Sequence, residues 1–337
     1  MLENLENLCS LNGVSGDEES VREFIIKNIE NHCTYTVDPL GSIIAFKKGK
    51  KTPQKKVMIC AHMDEVGFIV TGITDGGYLK FSPVGGIDPR TVFGTAVVVG
   101  NSVGGVIGGK AMHQVSAGDK DNAPQFSDMF IDIGASSKEQ AQEKVQLGDF
   151  VAFSSEFEKF GNNKIVSKAI DDRAGCAIML DIIKSELEYD TYFVFNVQEE
   201  VGLRGSKASA FTVDADVAVV LEATTAADLS GVSGSERVCC LGEGAVVSFM
   251  DHSTIYDKKL YNLAFSLAKE NDIKIQTKTA VAGGNDSGAI HLTKNGVRTV
   301  AVSVPCRYIH SPSCVADIAD IYSSRDLVLK LLEKIYD

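Results

Sequence analysis

Five short segments carry side chains able to do chemistry: Ala61-His62-Met63-Asp64-Glu65, Ile170-Asp171-Asp172-Arg173, Gln198-Glu199-Glu200-Val201-Gly202, Leu221-Glu222 and Tyr308-Ile309-His310-Ser311. Two imidazoles and several carboxylates form a hard-to-borderline donor set that suits zinc, cobalt or manganese. Singly, each has a plainer reading. A strand-end histidine is commonly a hydrogen-bonded partner, and paired acids are commonly a solvated corner. Five coincidences at the ends of five predicted strands are harder to set aside, because open α/β sheets bind ligands at the carboxyl ends of their strands.

Those strands and their helices follow from the apolar pattern. Leu2, Leu5, Leu8 and Leu11 lie at helical spacing until Asn12-Gly13 breaks it. Ser15-Gly16-Asp17-Glu18 has the form of a capping box, and Val21, Phe24, Ile25 and Ile29 give the next helix one apolar face. Lys56 to Ala61 reads as a buried strand that delivers His62 and Asp64 at its end. After Lys164 the chain alternates: a helix from about Asp172, strand Tyr192 to Val197, a helix after Leu203 and strand Asp216 to Leu221. Helix Tyr256 to Lys269, strands Ile273 to Thr277 and Thr299 to Val304, and a closing helix from about Arg325 complete it. The alternation predicts a largely parallel sheet covered by helices.

Between these parts, from about Phe68 to Ser154, glycines recur among short β-branched runs such as Thr95-Ala96-Val97-Val98-Val99. Only one helix is predicted there, near Lys138 to Glu143, and the texture is that of a small β barrel or sandwich. A chain of 337 residues exceeds a typical single domain. The economical architecture is one α/β domain, split in sequence by an inserted β domain.

Bulk properties exclude several classes. A formal net charge of -12 opposes a nucleic-acid surface, which needs clustered Lys and Arg. No apolar run approaches the roughly 20 residues of a membrane span. The start, Met1-Leu2-Glu3-Asn4-Leu5-Glu6, lacks the basic and apolar regions of a signal peptide. Eight cysteines in a long, unexported chain do not predict a disulfide framework, and the compartment is read as reducing cytoplasm. The vicinal Cys239-Cys240 pair is read as two thiols in an apolar segment.

The five segments resemble those of the M42 family of metallo-aminopeptidases, which includes tetrahedral aminopeptidases and proteins labelled endoglucanase M. The resemblance runs through Gly108-Gly109-Lys110-Ala111-Met112-His113, Asp132-Ile133-Gly134-Ala135-Ser136-Ser137 and Gly283-Gly284-Asn285-Asp286-Ser287-Gly288, over nearly the whole chain. It implies a zinc-peptidase-like α/β sandwich catalytic domain, residues 1–67 and 165–337, interrupted by a β-barrel-like dimerisation domain at 68–164. It also implies two divalent ions per subunit, zinc or cobalt with manganese as an alternative. Asp171 would bridge them, His62 and Glu222 would complete one site, and Glu200 and His310 the other. Asp64 would orient the His62 imidazole. Glu199 would be the general base for water acidified by the cations. Short peptides would be the substrates, and the chain would form a homo-oligomer, from dimer to dodecamer. One departure stands out: the family usually carries Asp where this chain has Glu222.

Other features are set aside. Gly104 to Lys110 spells the glycine and lysine spacing of a P-loop, but Ala111 stands where a magnesium-binding Ser or Thr is required. His32 and His252 are read as surface residues and His291 as packing. His113 is read as structural, with reach into a neighbouring subunit's site as the other reading. Three functions compete: aminopeptidase, another metal-dependent amidohydrolase or deacylase, and a polysaccharide hydrolase. Glycosidases need two carboxylates flanking a sugar and normally no metal, which opposes the last. A catalytically silent metal scaffold has no use for a free base such as Glu199.

Overall fold

The computed structural model describes residues 1–100, 102–114 and 123–336. Its framework is an eleven-stranded sheet whose centre is parallel: Thr191–Asn196, Val57–His62, Val217–Thr225 and Arg298–Arg307 lie side by side in that order. These strands read as apolar runs because both faces are covered; every residue of Val57–His62 is buried. Helix Ile170–Ile183 packs on Val57–His62 and Val217–Thr225, and helix Ile318–Lys334 packs beside it. The outer strands correct the sequence expectation. Thr34–Val37, Ile43–Lys47, Cys314–Asp317, Lys164–Ser167 and Glu158–Phe160 all join antiparallel, so the sheet is mixed rather than largely parallel. Hairpins and a short return make three of these joins, and such connections favour antiparallel neighbours, while Ile43–Lys47 on Thr191–Asn196 and Lys164–Ser167 on Cys314–Asp317 join segments distant in sequence.

The expected β insert is a closed barrel. Its strands run in the order Gly67–Ile73, Leu79–Val84, Met129–Asp132, Val103–Gly109, Ala96–Val99 and Phe150–Phe153. Closure removes the open edges that such short strands would otherwise expose. Phe68 sits in its core, with edge-on contacts to Phe81, Phe126 and Phe153. The P-loop-like spacing lies on the barrel strand Val103–Gly109, not on a turn before a helix.

Two local expectations fail. The last helix begins at Ile318, not near Arg325, with the Asp317 side chain accepting the Ala319 amide. Ser324 donates to the Asp320 carbonyl one turn back, so its hydroxyl is satisfied inside the helix rather than at a cap. The helix Glu19–Ile29 does begin after Ser15 and Glu18, but without a side-chain cap; both residues make other bonds. All eight cysteines are free thiols. Cys239 is buried, and its thiol is pushed up to about 12 by that burial. His32, His113 and His252 are exposed, and His291 bonds through Nδ1 to the Ser287 carbonyl.

Candidate metal centre

The parallel strands bring their carboxyl ends to one crevice beside the barrel. His62 is the last residue of its strand. Asp171 lies in the first turn of helix Ile170–Ile183, where it and Asp172 keep non-helical backbone angles. Glu199 and Glu200 follow strand Thr191–Asn196, in a turn entered through Gln198 at φ +54°. His310, at φ +59°, sits in the loop between Arg298–Arg307 and Cys314–Asp317. Glu222 departs from the strand-end expectation. Its strand continues to Thr225, because every residue from Val217 onward is paired with Arg298–Cys306 of the neighbouring strand.

The two oxygens of Asp171 face opposite partners. Oδ1 is 3.3 Å from His62 Nε2, and Oδ2 is 3.2 Å from His310 Nε2. Glu222 Oε1 lies 3.3 Å from His62 Nε2, and Glu200 Oε1 lies 3.3 Å from His310 Nε2. A tetrahedral ion with bonds of about 2.0–2.1 Å has ligand-to-ligand edges of about 3.3–3.4 Å, so the histidine-to-carboxylate edges of each trio already stand at the spacing such an ion requires. Glu200 Oε1 is buried and accepts no well-formed hydrogen bond. A buried carboxylate oxygen that relies on a 3.3 Å imidazole contact is in a costly state that a cation relieves. The residues therefore fit divalent ions.

The electrostatics agree. Burial opposes ionisation of Asp171, yet hydrogen bonds from His310 and His62 outweigh it and hold its carboxyl below the usual range. Burial lowers both imidazoles, but Glu222, Asp171 and Asp64 raise His62 well above its ordinary value. Against the same burial, Asp171 and Glu200 raise His310 to about 11. Burial pushes Glu199, Glu200 and Glu222 upward, with neighbouring carboxylates adding to each. Two imidazoles cannot neutralise so many acids, and the pocket is short of positive charge.

Supporting contacts fix the donors. His62 Nδ1 lies 3.1 Å from the Asp64 carbonyl and 3.3 Å from its carboxylate. Asp64 also accepts the amides of Glu199 and Glu200, at 3.0 and 3.1 Å. His310 Nδ1 lies 2.8 Å from the Gly86 carbonyl, so the segment after barrel strand Leu79–Val84 orients one imidazole. Nothing in the residue type marks Gly86 for this in the sequence.

Asp172 carries no role in the sequence expectations. Its carboxylate lies within reach of His62 and Glu222, but it accepts the Gly175 and His62 amides at 2.9 and 3.3 Å and so holds the turn. Behind the site, buried Lys168 joins Glu65 at 2.6 Å and the Leu11 carbonyl at 2.8 Å, tying the first helix to the crevice.

A cleft of about 540 Å³ opens onto Asp171, Glu199, Glu200, Glu222 and His310. Its lining also includes Thr224, Ser253, Gly283, Gly284 and Lys278, whose ammonium donates to the Ala282 carbonyl at 2.8 Å. Glu199 lines this cleft and belongs to neither trio, whereas each imidazole is engaged by Asp171 and one other glutamate.

A family model described as M42 glutamyl aminopeptidase matches residues 41–327. The chain is 31% identical to a glutamyl aminopeptidase of Lactococcus lactis over 98% of its own length and 96% of the relative's. It is 30% identical to a lysyl aminopeptidase of Pyrococcus furiosus, covering 99% and 97%. A Pyrococcus horikoshii TET1 peptidase, described as able to assemble into a tetrahedron or a large octahedral shell, matches at TM-score 0.87 and 34% identity, over 98% of each chain. Polysaccharide hydrolysis is thereby set aside, and the chain belongs to the M42 family of aminopeptidases, enzymes that hydrolyse peptide bonds.

Proposed function

We propose that this chain is a co-catalytic two-metal aminopeptidase acting on short peptides with a free amino end. The observation that carries the reading is Asp171, one oxygen turned to each imidazole at 3.3 and 3.2 Å. His62, Asp171 and Glu222 would hold one ion, and His310, Asp171 and Glu200 the other, with zinc or cobalt favoured by the donor set and manganese as an alternative. When bound, such ions polarise a peptide carbonyl and acidify water. Asp64 fixes the His62 ring. Glu199 takes the proton of the attacking water and passes it to the leaving amine; burial raises its carboxyl, which moves its basicity toward neutral pH.

The cleft also speaks to the substrate. Relatives are named for glutamyl and for lysyl ends, so family membership leaves the side-chain preference open. Lys278 on the cleft wall favours an acidic first residue. Glu222 supports the rival deacylase reading, since a carboxylate longer than the family's usual Asp changes the room left for a free amine. The test is a panel of aminoacyl chromogenic substrates and matched free and N-acetylated peptides. Free-amino substrates with Glu or Asp at the first position should be cleaved fastest, and Glu222→Asp should keep the preference for a free amine. Faster cleavage of the acetylated peptide by the natural protein moves the reading to a deacylase.

Self-association is the role proposed for the insert from Phe68 to Ser154, supported by the shell-forming structural relative and by exposed Phe93 and Val106 on the barrel. Closed symmetric assembly is the expected form. Light scattering that finds only monomer at working concentration contradicts it.

A further inference from the structure

Ser15 and Glu18 have the spacing of a helix cap, yet neither side chain caps the helix that follows. The Ser15 hydroxyl donates to Asp64 Oδ2 at 2.6 Å instead. Glu18 Oε1 accepts the Gly16 amide at 2.8 Å and the Gln198 amide at 3.1 Å, across 180 residues of sequence. Both residues are buried, at 5% and 4% exposure. Three successive amides of one turn, at Gln198, Glu199 and Glu200, therefore point at two carboxylates, Glu18 and Asp64. Consecutive N–H groups that converge in this way form an anion-binding concavity, and here the anions come from the protein itself.

The carbonyls of the same turn are also engaged. Gln198 and Glu199 accept amides from the residues that lead into helix Arg204–Val213, at 2.9 to 3.1 Å. With three amides and the Gln198 and Glu199 carbonyls held, the backbone that aims the side chains of 199 and 200 is fixed. The N-terminal loop is itself fastened: the Glu65 amide donates to the Gly13 carbonyl and the Ser15 amide to the Glu65 carbonyl, at 2.9 and 3.2 Å.

We infer that Ser15 and Glu18 are positioning residues that clamp the 198–200 turn and so aim Glu199 and Glu200. The inference rests on the reading of that turn as the one that does proton transfer and ligation. Glu18 acts as a hydrogen-bond acceptor, a role that glutamine can fill and alanine cannot.

The experiment combines kinetics with amide hydrogen exchange across residues 197–203 in the full-length protein. Glu18→Ala should speed exchange in that segment and lower kcat by about 10- to 100-fold with KM within about threefold, the effect of misplacing a reacting group rather than losing substrate contacts. Glu18→Gln should restore both. Ser15→Ala, which removes only a hydroxyl, should move both readouts in the same direction and decides the matter if Glu18→Ala does not fold. Unchanged exchange at 197–203 in the folded variants overturns the clamp. Absence of peptide hydrolysis by the natural protein overturns the proposed function instead, and the exchange result still judges the clamp.

Discussion

Glu199→Gln is expected to lower turnover by about 10²-fold or more while the fold and the metal content persist. Glutamine keeps the shape and volume of the side chain and removes its basicity. The geometry separates the two adjacent glutamates: both line the cleft, but Glu200 Oε1 lies 3.3 Å from His310, whereas Glu199 belongs to neither donor trio. Their amides are held alike by Asp64, so the turn itself should not move when the Glu199 side chain is changed. The comparison is kcat on a free-amino peptide beside elemental analysis of the purified variant. Loss of metal from Glu199→Gln means that Glu199 is the ligand and Glu200 the base.

Removing divalent ions is expected to abolish hydrolysis and to lower the melting temperature. Asp171, Glu200 and Glu222 crowd around two imidazoles, with Asp64 and Asp172 immediately behind. Without cations the acids must either repel one another or take up protons, and burial drives Glu200 and Glu222 toward the second. Neither state polarises a carbonyl. Returning the ions should restore activity and stability together, because ligands that bind only the folded chain stabilise it.

The central strands and the candidate donors they carry were legible because burial on both faces writes an apolar run that ends at the polar group, as in Val57–His62. The glycine-rich, β-branched texture likewise gave away the barrel. Less legible was anything decided by a distant partner. Glu222 lies within its strand because the neighbouring strand is long enough to pair beyond it. Ser15 and Glu18 have types and spacing that suit a cap equally well, and only the arrival of Asp64 and Gln198 reveals their use. Gly86 and Lys278 enter the site through a carbonyl and a cleft wall, and neither contact leaves a local pattern. The antiparallel margins were missed because short strands carry little periodicity, and their direction depends on the connection rather than the strand.

The most direct test of the two-metal centre is a titration of chelator-stripped protein with zinc and, in parallel, with cobalt and manganese, following hydrolysis of a free-amino peptide and bound metal together. Two donor trios that share Asp171 predict no activity at zero metal and a rise that saturates as two ions bind per chain. Full hydrolysis by a preparation that elemental analysis finds metal-free contradicts such a centre.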